Sequence, residues 1–239
     1  NASLHLINVD ICNGSSVAGG AVSASGAELI FEKTAFIGNN ASFGGALFLS
    51  EGSVGAFHSH TSFTENIATS SGGAIYTSKD CILHWTGSSI FTSNVAAAYG
   101  GALFAYERST VSFESEVSFL TNEGNGGGAM YVAGNASVSM NGGAEFLNNS
   151  ANDVGGAVSV TDLGSNVSWS QATSFSGNEA YRGGAVYIHN GACVISIGPT
   201  NFVGNIAGVG GALRLAGTVT VDNCSFVGNI ANEGNGAAV

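Results

Sequence analysis

The sequence predicts an all-β fold, a single-stranded right-handed parallel β-helix of about eight to nine rungs, with 27–28 residues and three strands per rung. Three observations predict it. Gly-Gly-Ala followed by an apolar residue recurs at Gly19, Gly44, Gly72, Gly100, Gly127, Gly155, Gly183 and Gly210, with a degenerate copy at Asn235-Gly236-Ala237. Phe-x-x-Asn keeps phase with it, starting at Phe36, Phe63, Phe91, Phe119, Phe146, Phe175, Phe202 and Phe226, always eight or nine residues before the next Gly-Gly position. Between these landmarks apolar residues alternate with period two, the signature of strands. A period held this tightly means one supersecondary unit stacked on itself.

The first strand of each rung follows Gly-Gly-Ala. Its first position reads Val22, Leu47, Ile75, Leu103, Met130, Val158, Val186 and Leu213, and its third reads Ala24, Leu49, Thr77, Ala105, Val132, Val160, Ile188 and Leu215, so both columns face inward. A second strand ends in Phe31, Phe57, Trp85, Phe113, Met140, Trp169, Ile197 and Val221, five or six residues ahead of the Phe of the third strand. Before the first full rung, Leu4 and Leu6 fall on a second strand and Val9 and Ile11 on a third. Three corners close each rung. The glycine pair suits a corner because it permits positive φ and close backbone approach. Asn39, Asn66, Asn94, Asn122, Asn149, Asn178, Asn205 and Asn229 suit another, since Asn tolerates a left-handed bend and its amide can bond to its copies in adjacent rungs. At roughly 4.8 Å per rung the rod is on the order of 40 Å long.

Phe-x-x-Asn-x-Ala followed by Gly-Gly-Ala-(Ile/Leu/Val) resembles the repeat of the chlamydial polymorphic outer-membrane proteins. Phe63 to Asn66 with Ala68 and Gly72 to Ile75 carries the resemblance, as does Phe202 to Asn205 with Ala207 and Gly210 to Leu213. The repeat also resembles those of large extracellular proteins of algae and other protists. The resemblance implies a surface-exposed passenger domain with an adhesive role. It does not extend to a C-terminal amphipathic β-barrel segment.

Composition narrows the function classes. Five basic residues stand against sixteen acidic ones, for a formal charge of -11, so nucleic acid and anionic membrane are poor partners. No apolar run is long enough for a membrane helix, which argues against membrane insertion by this segment. The unbroken period points to one β-helix domain over 1–239, without an initiator Met or a basic leader. Such a domain is expected to be a segment of a larger protein or a stacking subunit. Low total charge with many Gly, Ser, Thr and Asn fits a secreted or cell-surface location. Cys81 and Cys193 read as sharing one phase four rungs apart, too far to bridge. The four cysteines are expected to be mostly buried free thiols, with a Cys193–Cys224 bridge as the alternative.

On the first strand the second position points outward, and aromatics gather there. Phe48, Tyr76, Phe104 and Tyr131 occupy four consecutive rungs, with Tyr187 further on. Such a stripe is either a contact ladder, for a protein or glycan surface, or packing suited to a pleated sheet. Uncapped strand edges at both ends suggest a second function, a head-to-tail fibre in which Val239 of one copy approaches Asn1 of the next. Of seven Asn-x-Ser sequons, Asn135, Asn166 and Asn223 fall at corners and are the best candidates for glycosylation, whereas Asn13 approaches the Asn column.

Catalytic patterns are scarce. Asp80, Glu107, Asp162 and Asp222 are scattered over rungs and corners, where a β-helix glycosidase or lyase needs clustered carboxylates. Lys79 and Arg108 beside them read as solvated turn residues. His58 and His60 share a strand face if the strand runs straight, with His84 one rung on, but no carboxylate joins them and a metal site is not expected. No cofactor motif is present. The sequence therefore points to a non-enzymatic extracellular adhesin or scaffold, with the fibre subunit second and a polysaccharide-active enzyme third.

Overall fold

The structure, a computed structural model, describes residues 2–196 and 198–238. Within them the chain coils into a parallel β-solenoid of about eight turns, with no helix. Every strand pairs in parallel with its counterpart one turn away, as in Tyr76↔Phe104 and Phe91↔Phe119. The strands form four continuous sheets. The first runs from Val22–Ser25 to Leu213–Leu215, the second from Ser3–Ile7 to Thr218–Val221, and the third from Asp10–Cys12 to Cys224–Val227.

The fourth sheet, from Asn40–Phe43 to Ile230–Asn235, corrects the expected three strands per turn. It occupies the stretch between Phe-x-x-Asn and Gly-Gly, which the sequence pattern presents as a corner. Its inward contribution is one small residue per turn, Ala41, Ala68, Ala96, Ala151, Ala180 or Ala207, each at most 5% exposed. Register shifts interrupt the pairing just after that residue, for example between Ala68 and Ser71 and between Gly124 and Gly126. One inward alanine and a bulge leave too little alternation to register as a strand.

The core is built of stacked columns. From Phe36 to Phe226 the third-sheet phenylalanines lie face to face with centroids 4.6–5.0 Å apart. Phe31, Phe57, Trp85 and Phe113 form a second stack on the neighbouring sheet. That column continues differently from the alignment: Trp169 pairs with Ser196, and Ile197 lies outside the described residues. A six-residue spacing to Phe202, as in the preceding turns, accounts for the shift.

The asparagine row is buried, with Asn39 to Asn205 at 0% exposure. Asn94 shows its bonding. Its Nδ2 donates to Asn122 Oδ1 (3.0 Å) and to the Phe63 carbonyl (2.9 Å), while its Oδ1 accepts from the backbone N–H (3.0 Å) and Nδ2 (2.9 Å) of Asn66. All four bonding sites of the amide are used, which removes the cost of burying it. The two corner glycines divide the work. Gly72 takes φ 69°, and any Cβ on Gly73 would collide with the Gly101 carbonyl of the next turn.

All four cysteines are free, and only Cys81 is buried; Cys12 is exposed and Cys193 and Cys224 are half-buried. Cys193 pairs with Asn166 in the outward column that contains Ile82, so it stands one position out of phase with Cys81.

Candidate contact surface

Pairing within the first sheet sets Phe48, Tyr76, Phe104 and Tyr131 side by side on its outer face. Successive ring centroids are 5.3, 5.1 and 5.6 Å apart. The row is less exposed than the sequence suggests: Phe104 is only 7% exposed and the others are half-buried. Other rings close over it from both sides. Past its bulge, the fourth sheet turns the residue before Gly-Gly toward the row, so that Phe43 lies 5.5 Å from Tyr76 and Tyr99 lies 6.0 Å from Phe104 and 4.5 Å from Tyr131. Re-aiming a side chain is what a bulge does. On the other side, the corner after the first strand brings Tyr106 to 5.4 Å from Phe104.

The result is a groove. A depression of about 460 Å³ is lined by Tyr76, Tyr99, Phe104, Tyr106 and Tyr131 with Asp162 and Asn190 at its far end. A second, of about 290 Å³, adjoins it at Phe43, Tyr76 and Tyr106 and extends past Phe48 and Glu107. Four of the six tyrosines in the chain line the larger one, a concentration that composition does not account for. Gly126 lets the Tyr99 and Tyr131 rings sit close against the backbone, since a Cβ there would come within 3.1 Å of the Tyr131 ring and 3.2 Å of Tyr99.

The groove is electrostatically negative. Burial, then Glu107 and Tyr106, raise the Tyr76 phenol above its ordinary pKa. Burial first, then Tyr99, Asp162, Tyr187 and Asp153, raise that of Tyr131 strongly. Both phenols are therefore neutral hydrogen-bonding groups at physiological pH. The nearby basic residues are already engaged: Lys79, which lines the second depression, with Glu51, and Arg108 with Asp80 through a two-pronged pair at 2.7 and 2.8 Å. The corner charges are thus bonded between turns rather than simply solvated. Ring faces, phenol hydroxyls and free carboxylates equip the groove for recognition.

Other sequence candidates lie elsewhere or differ. Tyr187 shares the outer column but is separated from Tyr131 by Ser159, which is fully buried with its hydroxyl unpartnered. Asn135 and Asn223 sit exposed at corners with φ 64° and 53°. Asn166 does not: it opens a strand, half-buried, and its Oδ1 accepts from Ser137 Oγ at 2.9 Å. Asn13 is exposed at a corner, and Gly14 takes the place at the end of the amide row. His58 and His60 bracket Ser59 (φ 93°) in a corner instead of sharing a strand, and each of the three histidines, His84 included, bonds a hydroxyl one turn on. Among the described residues no group of three or more His, Cys, Asp or Glu could hold a metal ion.

Sequence reasoning missed Phe43, Tyr99 and Tyr106. A signal existed for the first two: both stand immediately before a Gly-Gly pair, where the other turns carry Ala18, Ser71, Gly126, Val154, Arg182 and Val209 and no further aromatic. Asn1 and Val239, which the fibre reading invokes, lie outside the described residues.

The family model for the Chlamydia polymorphic membrane protein repeat matches residues 60–78 and 88–106. The chain thus carries repeats of this kind, as its motifs suggest. The two matched segments contain Tyr76, Tyr99, Phe104 and Tyr106 of the groove together with the landmarks Phe63, Asn66, Phe91 and Asn94. No curated protein and no solved structure matches the chain. Among the described residues no helix is long and apolar enough to cross a membrane, a statement about helices alone.

Proposed function

We propose that this chain is a non-enzymatic, secreted or cell-surface solenoid that acts as an adhesin or structural scaffold and meets its partner through the aromatic groove. The observation that carries this reading is the groove itself. Seven rings converge on one outer face of an otherwise Ser-, Thr- and Asn-rich rod, with Phe43 38% and Tyr99 42% exposed. Contiguous exposed aromatic surface on a soluble protein marks a place of contact. The matched repeat, described from a membrane protein, supports a surface location. The exposed corner sequons at Asn135 and Asn223 fit glycosylation in a secretory setting. With a formal charge of -11, the partner is a protein or glycan surface and not nucleic acid.

The test is a protein and glycan array probed with the full chain and with a Tyr76→Ser/Tyr99→Ser/Tyr131→Ser variant. Binding that the variant loses, while its unfolding midpoint stays close to the parent's, supports the groove as the contact surface. Binding that the variant retains in full contradicts it.

A further inference from the structure

We propose that the groove receives an extended, arginine-bearing peptide segment of a partner protein, its guanidinium groups laid on exposed ring faces and bonded to the carboxylates of Glu107 and Asp162. This rests on the reading of the groove as a contact surface and adds the chemistry of what it contacts.

Ring orientation decides first. A flat sugar face stacks best on rings lying in one plane, and here three neighbouring pairs are steeply inclined, Phe43 to Tyr76 by 70°, Tyr76 to Phe104 by 66° and Phe104 to Tyr131 by 62°, while Phe48 to Tyr76 and Phe104 to Tyr106 each lie within 15° of parallel. The inclined rings pack edge to face on one another, and a cation laid along the groove meets the negative faces that they leave exposed.

Charge decides next. Asp162 lines the wide end of the groove and Glu107 its narrow end. Asp162 accepts only from its own neighbourhood, the Gly134 N–H at 3.2 Å and the Thr161 hydroxyl at 3.5 Å. Neither carboxylate forms an ion pair among the described residues, whereas Lys79, Arg108 and Arg182 are each matched to Glu51, Asp80 and Asp153. Lys79 also lines the narrow end, beside Glu107, but its ammonium is bonded to Glu51. A surface that presents ring faces and carboxylates outside ion pairs, on a chain of charge -11, is complementary to a cation. Arginine fits better than lysine because its planar, weakly hydrated fork stacks on a ring and bonds a carboxylate at once. Among the described residues one such arrangement occurs, the Arg182 guanidinium 5.5 Å from the Tyr181 ring centroid.

Length decides the form of the ligand. From Phe48 to the Asp162 corner the groove crosses four turn-to-turn steps, roughly 19 Å at about 4.8 Å each, which is the span of about six extended residues.

The experiment is calorimetric titration of the full chain with Gly-Arg-Gly-Arg-Gly-Arg, its Gln-for-Arg analogue, and a neutral chito-oligosaccharide. The titrations are repeated on Tyr99→Ser/Tyr131→Ser, on Glu107→Gln/Asp162→Asn, and on Glu145→Gln, which alters a carboxylate on the third sheet. The arginine peptide should bind at least tenfold more tightly than its analogue. It should weaken at least fivefold in each groove double variant and remain unchanged in Glu145→Gln. Equal weakening in Glu145→Gln, or none in the tyrosine variant, would reduce the binding to diffuse attraction and overturn the proposal. An oligosaccharide that binds in a tyrosine-dependent way while the arginine peptide does not would also overturn it, yet leave the groove as the contact surface. If neither ligand depends on the groove and array binding survives its loss, both readings fall.

Discussion

Asn94 belongs to a row of amides sealed inside the coil, and Tyr76 to a row of rings on its outside, the reverse of the usual partition of polar and aromatic side chains. The two rows differ in how completely the repeat serves them. Asparagine recurs in every Phe-x-x-Asn, so each interior amide finds its bonding partners one turn away and polarity costs nothing. The outer column reads Ser23, Phe48, Tyr76, Phe104, Tyr131, Ser159, Tyr187 and Arg214, so rings fill only four consecutive turns and leave faces unmatched. A feature present in all turns is architecture. A feature confined to some of them, and roofed by rings from two other elements, is a local surface with a local purpose.

The sharpest way to break this contrast is at the inner corner. Gly73→Val should be the most damaging substitution, costing more than about 4 kcal/mol or preventing folding, because its side chain has only the Gly101 and Val95 carbonyls to enter. Expression and circular dichroism will show it; a folded, stable variant would mean that the turns are not so closely stacked. Asn94→Leu should follow at about 3–5 kcal/mol in urea unfolding, since it strips partners from the Asn66 N–H and Nδ2 and from the Phe63 carbonyl, all buried. Asn229→Leu, at the half-buried end of the row, strips the same bonds from Asn205 and the Phe202 carbonyl but where water comes closer, so it should cost less, about 2 kcal/mol.

The outer row should divide within itself. Phe104→Ser removes a ring that is 7% exposed and touches Tyr76, Tyr99, Tyr106 and Tyr131, so about 3 kcal/mol should be lost. Tyr99→Ser, at 42% exposed, should cost less than about 1 kcal/mol. Equal effects would mean that the groove is ordinary packing. Smallest of all is the exposed Asp80–Arg108 pair. The Arg108 guanidinium holds the Asp80 carboxyl below the usual aspartate range, so its stabilisation is present above about pH 4 and fades as pH falls through the depressed value. Denaturation midpoints at pH 7 and pH 3 should draw slightly closer together in Arg108→Gln; a wider gap would reverse the sign.

These effects follow how legible each part was in the chain. The repeat, its parallel stacking and the buried amide row can be read from Gly-Gly-Ala and Phe-x-x-Asn because those residues answer to demands that recur each turn. The fourth strand escapes because Ala68 or Ala96 alone, followed by a bulge, leaves no alternation to detect. The groove is legible by half. Phe48, Tyr76, Phe104 and Tyr131 align by periodicity, whereas the approach of Phe43, Tyr99 and Tyr106 depends on where a bulge and a corner point their side chains, which the pattern does not encode. Asn166 was misplaced for a related reason, since a sequon reads the same at a corner and one residue into a strand.

The most direct test is hydroxyl-radical footprinting of the chain with and without a ligand identified on the array, read tyrosine by tyrosine. Tyr76, Tyr99, Tyr106 and Tyr131 should become protected on binding, while Tyr181, 44% exposed on the fourth sheet, keeps its reactivity. Protection of Tyr181 with no change at the other four would place the contact elsewhere and contradict the account.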